Sequence, residues 1–295
     1  MLYLHGGGWI SGKKIKVKDL CKRYKKYDFI SASMTYTIFN GTYKNTNMFR
    51  LIDEITYTMK AIKVFLKEKG FDENKFELVL GGGSAGGHLS MLYSYMIKNP
   101  PIPIKFIYDN VGPVTIDPKY FFFTKNNSLE NIEPEDIYKA FNENKLISID
   151  NIPYGSDFKI ALISFMNLAI GRKFNTNFDK IFSDLKKAII NEASEEYKEL
   201  LNKTAYAFPL IYVNKQSIPT LCIYGGQDEI NGVTQYALLK KKFIENNNDK
   251  IELIYYKYGT HEVTDVKGKD YEKAYDKEFE VFYNYSQKYF TKDNN

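Results

Sequence analysis

The clearest signal along the chain is a hydrophobic period that switches between two and 3.6 residues. Leu2 to Leu4 is a short apolar run ending in glycines and reads as a strand. Lys16 to Lys26 reads as a helix, and Asp28 to Tyr36 contains a second strand. From Met48 to Lys69, apolar residues stand at 48, 51, 52, 55, 59, 62, 65 and 66, with Gly70 closing the run. That spacing predicts a long amphipathic helix. Phe76 to Leu80 reads as a third strand, followed by a glycine-rich loop. Leu89, Leu92, Tyr93, Met96 and Ile97 mark a helix stopped by Pro100 and Pro101. Ile104 to Tyr108 is a fourth strand.

After residue 108 the alternation stops for about a hundred residues. Helical spacing recurs there, at Phe178 to Ile189 and at Pro134 to Asn144, without a convincing strand. Strands resume at Thr220 to Tyr224 and Ile251 to Tyr256, with a helix over Gln235 to Glu245 between them. Tyr271, Tyr275, Phe279 and Phe282 mark a last helix. The order is βαβαβαβ, a helical block, then βαβα. It predicts one α/β domain over residues 1–295, with a mostly parallel sheet and helices on both faces. Residues 115–208 are then an insertion, a helical cap.

Composition narrows the function without naming it. The chain has 295 residues, 44% hydrophobic and 26% charged, as in ordinary globular proteins. A net charge of +5 is spread along it, and the densest basic run, Lys13 to Lys18, holds four lysines. That predicts no nucleic-acid partner. No stretch approaches the roughly 20 apolar residues of a membrane span. No secretory signal stands at Met1, where the apolar run leads straight into His5 and three glycines. Two cysteines, Cys21 and Cys222, with three histidines, predict neither a disulfide framework nor a metal site. A reducing, cytoplasmic location is expected.

The chemistry centres on "LVLGGGSAGGHL", residues 78 to 89. Gly81, Gly83 and Gly86 spell a dinucleotide-binding G-x-G-x-x-G, and Asp109 stands where that motif wants a ribose ligand. Gly82, Ser84 and Gly86 spell G-x-S-x-G, a nucleophile elbow. Both demand a strand, a tight turn and a helix, so the stretch does not choose. A phosphate-binding P-loop fails, because no Lys-Ser/Thr follows the glycines.

A second glycine cluster breaks the tie. His5-Gly6-Gly7-Gly8-Trp9 follows the first strand directly. Its N–H groups are free to converge on one spot, as stabilisation of an oxyanion requires. A dinucleotide fold has no use for them. "LCIYGGQDEING" puts Asp228 after one late strand, and "LIYYKYGTHEV" puts His261 after another. The order Ser, acid, His is that of α/β hydrolases. Glu229 and Asp265 are alternative acids. His5 belongs to the glycine motif and His88 to the helix after Ser84, leaving His261 as the base.

Through His5–Trp9 and Asp72–Leu89 the chain resembles esterases of the α/β-hydrolase superfamily. The branch is the one with a His-Gly-Gly-Gly oxyanion motif, related to hormone-sensitive lipase and to acyl-sugar and feruloyl-type esterases. The resemblance runs from residue 2 to about 265, is fair around Pro209–Val213 and Pro219–Asp228, and is poor across the insertion. It implies a serine hydrolase of small acyl esters, acylated sugars among them, working through an acyl-enzyme without cofactor or metal. Ser84 is then the nucleophile, His261 the base and Asp228 its orienting acid. Gly7, Gly8 and Ala85 supply the oxyanion hole, and Trp9 packs under the loop or lines the substrate pocket. A peptidase or amidase on the same scaffold, or a non-catalytic ligand-binding relative, fits the same motifs.

Such hydrolases carry two more strands before the glycine motif, so the sheet edge is expected to be missing or the chain to be a fragment. An uncovered edge invites association with a second copy. The acid loop also lacks the proline common in relatives.

Overall fold

The computed structural model describes residues 1–13, 18–39, 46–115, 165–166, 168–169, 195–226, 228, 230–261 and 271–290. Six strands form one sheet: β1 (Leu2–Leu4), β2 (Ala32–Met34), β3 (Leu78–Gly83), β4 (Ile104–Asn110), β5 (Thr220–Gly225) and β6 (Ile251–Tyr256). Their order is β2-β1-β3-β4-β5-β6, and every pairing is parallel. The described α-helices are α1 (Lys18–Lys25), α2 (Met48–Glu68), α3 (Ala85–Met96), α4 (Glu195–Thr204), α5 (Thr234–Glu245) and α6 (Tyr271–Ser286).

Strand alternation sorts the helices between the faces. On β4, Phe106 and Tyr108 point to one face and pack on Phe282 of α6. Tyr24 of α1 joins them through Phe279 and Phe282. Asp109, on the opposite face, lies under α3, where a Cβ on Gly87 would sit 2.3 Å from its Oδ1. There α3 meets α5 through Tyr95 and Phe243 and packs beside α2. With both faces covered, Leu221, Cys222, Ile223 and Tyr224 of β5 are all buried.

The expected elements differ at two places. The third strand runs on through Gly81–Gly83 rather than ending at Leu80. Its glycines keep pairing on both sides: Gly81 lies opposite Tyr3 and Tyr108, and Gly82 opposite Leu4 and Asp109. Helix α4 was not anticipated. Half of its sequence, EEYKELLNKT, is charged, and the described anchors come late, at half-buried Leu201 and buried Thr204.

The helices expected at 134–144 and 178–189 lie outside the described residues. Within 115–208, buried Phe165, Met166, Leu168 and Ala169 join one core cluster with Trp9, Ala207 and Phe208. Phe165 packs 5.1 Å from Trp9, and the Tyr206 hydroxyl donates to the Ala169 carbonyl at 2.6 Å. This part of the insertion therefore sits on the loop that follows β1. Among the described residues no helix is long and apolar enough to cross a membrane.

Candidate active site

Because all six strands run the same way, their C-terminal ends share one edge of the sheet. There the loops after β1, β3, β5 and β6 carry the glycine motif, Ser84, Asp228 and His261. Ligand sites of open parallel sheets gather at this edge. A cavity of about 370 Å³, lined by Met1, Phe29, Ile30, Leu66 and Phe71 among others, opens elsewhere, beside the strand starts.

Ser84 links β3 to α3 with φ 51° and ψ −118°, a strained conformation for a residue with a side chain. The surrounding glycines make it possible. A Cβ on Gly82 would lie 2.5 Å from the Gly86 carbonyl carbon, and one on Gly86 only 2.1 Å from the Leu4 oxygen. Strand and helix thus meet backbone to backbone. The Ser84 N–H donates to the Asn110 carbonyl at 2.7 Å, tying the turn to the end of β4.

The glycine motif folds over this turn. A Cβ on Gly6 would lie 3.3 Å from that of Ser84. Gly7, Gly8 and Trp9 follow with φ of 115°, 57° and 61°. This run of positive φ turns the Gly7 carbonyl toward the N–H groups of Ile10 and Ser11, at 3.1 and 3.0 Å. Among the described residues, no group accepts the N–H of Gly7, Gly8 or Ala85.

His5 is buried, its ring stacked on Tyr36 at 4.2 Å. Its Nδ1 lies 2.8 Å from the Gly6 carbonyl, and burial lowers its pKa. The Tyr36 hydroxyl donates to the His5 carbonyl at 2.7 Å. Both contacts hold the loop's backbone. Trp9 is 3% exposed, edge-on to His88 and Phe165. It packs beneath the loop. His88 is buried, with Nε2 2.8 Å from the Ala207 carbonyl, and burial lowers its pKa to about 4.

His261 and Asp228 meet directly. The His261 Nδ1 lies 2.9 Å from Oδ2 and 3.1 Å from Oδ1 of Asp228. Asp228 is fully buried while the His261 side chain is 26% exposed. The Asp228 Oδ1 also accepts the N–H groups of Ile230 and Asn231 at 2.8 and 2.9 Å. With Nδ1–H spent on the acid, the imidazole keeps Nε2 as its free acceptor, the tautomer a general base requires. The alternative acids Glu229 and Asp265 lie outside the described residues.

Several supporting residues escaped the sequence reading. Gly225 and Gly259 zip the acid loop to the histidine loop: a Cβ on Gly225 would lie 2.2 Å from the Gly259 carbonyl oxygen. The paired "YGG" and "YGT" at the ends of two strands were the available signal. Asp109, which fitted the ribose position of a dinucleotide motif, is fully buried. It accepts the Gly112 N–H at 2.9 Å and lies 2.9 Å from the Tyr224 hydroxyl. A buried side chain so engaged is not presented to a ribose. Among the described residues no cluster of His, Cys, Asp or Glu could hold a metal ion.

Known proteins share this architecture. Esterase 2 of the planctomycete Thermogutta terrifontis, with butyrate bound, superposes with a TM-score of 0.57 at 15% identity, over 97% of this chain and 82% of that one. Carboxyl esterase 2 of the fungus Tuber melanosporum gives 0.55 at 15% identity, over 98% and 78%. No curated protein matches the sequence. The BD-FAE family model matches residues 1–243. With its parallel sheet and glycine-flanked Ser84 turn, the chain belongs to the BD-FAE family and has the α/β-hydrolase fold.

Proposed function

We propose that the chain is a serine esterase that hydrolyses carboxylic esters through an acyl-enzyme. The carrying observation is that a strained Ser84 turn and a hydrogen-bonded His261–Asp228 pair occupy the same edge of the sheet. In this reading the Ser84 hydroxyl attacks the acyl carbon while His261 Nε2 takes its proton. The carbonyl oxygen becomes an oxyanion and is met by the N–H groups of Gly7, Gly8 and Ala85. Collapse expels the alcohol, which receives the proton from His261. Water then repeats the sequence, with His261 as base, and releases the acid. Asp228, dry and already paired to Nδ1, stabilises the imidazolium at each step. No step needs a metal or organic cofactor.

Short acyl groups are the expected substrates, with acylated sugars as a candidate alcohol class. Thermogutta terrifontis esterase 2 is described with butyrate and with propionate bound, and phosphonylated by sarin. We extend short-acyl preference and organophosphorus sensitivity to this chain. The insertion 115–208 acts as a cap in this reading, with Phe165 seated on Trp9. Two free cysteines fit a cytoplasmic location, and the outer edge of β2 is where a second copy would add.

The test is hydrolysis of p-nitrophenyl acetate, propionate and butyrate. Ser84→Ala should lower kcat by at least about 10⁴-fold and abolish labelling by a fluorophosphonate. Equal turnover by parent and variant overturns the assignment. Hydrolysis of amides in preference to esters would move the enzyme to the amidase class.

A further inference from the structure

The loop between β4 and the insertion touches both halves of the candidate site without belonging to either. The Asn110 carbonyl accepts the Ser84 N–H at 2.7 Å. The next carbonyl, of Val111, accepts Asn231 Nδ2 at 2.7 Å, and the Asn231 N–H binds Asp228 Oδ1. Val111 itself has φ 52°, unfavourable for a β-branched residue, so something must hold the loop in that shape. Asp109 does. Its Oδ1 accepts the Gly112 N–H, and a Cβ on either Gly87 or Gly112 would lie 2.3 Å from that oxygen. Its Oδ2 meets Tyr224, whose hydroxyl also reaches the Gly112 carbonyl at 2.5 Å.

We propose that Asp109 is a positioning residue: by clamping the 110–112 loop it fixes Ser84 relative to the Asp228–His261 pair. The inference rests on the esterase reading of Ser84, Asp228 and His261. It gives the buried Asp109–Tyr224 contact a task that the reaction steps do not use.

The clamp works with Asp109 neutral. Tyr224 has one hydroxyl proton and two oxygens in reach, so both contacts are hydrogen bonds only if the carboxyl supplies a second proton. A neutral Asp109 donates to Tyr224, which donates to Gly112. Burial raises the Asp109 pKa to about 8, so the carboxyl holds its proton at neutral pH. The titratable groups around it are Tyr224 and Cys222 on β5 and Tyr95 on α3, and burial raises all three. None brings a charge. Above pH 8 Asp109 ionises, Tyr224 turns to the carboxylate, and the Gly112 carbonyl loses its donor.

Asparagine reproduces the neutral clamp, with Oδ1 accepting from Gly112 and Nδ2 donating to Tyr224. The experiment measures kcat and KM per active site, counted by fluorophosphonate titration, for the parent, Asp109→Ala, Asp109→Asn and Asn231→Ala. A parent that does not label refutes the esterase reading itself. In a labelling parent, Asp109→Ala should lose about 10²-fold in kcat, the scale of a small misplacement, with KM within about twofold. Asn231→Ala should lose kcat in the same way, and Asp109→Asn should restore parental kcat at pH 7. The parental kcat should decline above about pH 8, and Asp109→Asn should abolish that decline. Unchanged kcat per site in folded Asp109→Ala overturns the proposal. Where that variant does not fold, a flat parental profile or a decline retained in Asp109→Asn overturns it.

Discussion

One hydroxyl, that of Tyr36, holds the backbone of the glycine motif from behind. It donates to the His5 carbonyl while its ring stacks on the His5 imidazole. Tyr36→Phe keeps the stacking and removes the bond, which should cost about 1 kcal/mol in unfolding free energy. With the loop's N–H groups as the proposed oxyanion hole, they meet charge only in the transition state, and the kinetic signature should be a lower kcat at unchanged KM. A rise in KM at constant kcat would instead place the loop in ground-state binding. Asp228→Asn should be more severe. An amide opposite Nδ1 favours the wrong imidazole tautomer and should lower kcat by about 10⁴-fold, with His261 still in place by NMR.

At the scale of elements, the zip between the end of β5 and the loop after β6 is among the tightest contacts near the site. Gly225→Ala would push a methyl group against the Gly259 carbonyl, and backbone cannot step aside as a side chain can. Overpacking of this kind costs about 1–3 kcal/mol. The loops beyond carry Asp228 and His261, so thermal unfolding and kcat should fall together. Gly70 is a control: a Cβ there meets nothing within 4 Å, though its φ of 85° still favours glycine.

The same scale shows what the sequence could and could not disclose. Element order, the parallel sheet and the loops bearing Ser84, Asp228 and His261 were legible, because hydrophobic period and strand-end position report directly on them. The length of β3 was not, since Gly81–Gly83 resembles a loop until its neighbours Tyr3 and Tyr108 are known. Asp109 was legible only as a polar strand end. Its partners, Gly112, Tyr224 and the first turn of α3, come together only when the sheet is assembled. The Asp228–Asn231 turn, by contrast, is local, and "DEIN" contained it all along.

For the whole molecule, buried ionisable groups set opposing pH trends. Burial raises Asp109 to about 8 and Glu278, which accepts the Tyr108 hydroxyl, to about 7. Both retain protons in the folded state that the unfolded chain releases near its ordinary values of 3.8 and 4.5. Their contribution to stability is full below those values and is lost as pH rises toward 7 and 8. His88 runs the other way. Its folded pKa of about 4 lies below the ordinary 6.5, so its contribution is full above 6.5 and is lost as pH falls toward 4. From pH 6.5 to 8 the buried Met1 ammonium, whose pKa burial lowers from 8.0 to about 5, opposes the carboxyl trend, so that trend shows as a difference: the parent's Tm minus that of the double variant Asp109→Asn/Glu278→Gln should fall across the interval. A Tm difference between parent and double variant that stays constant over this range would exclude the trend.

The glycine contact between β5 and β6 also constrains how such a molecule can be altered. The loops that bear Asp228 and His261 form a single mechanical part, clipped together by backbone at Gly225 and Gly259. Lengthening or re-aiming one of them drags the other with it. An engineer seeking a new substrate should therefore leave both loops alone and vary the chain that seats on Trp9, where side chains rather than peptide units make the contact.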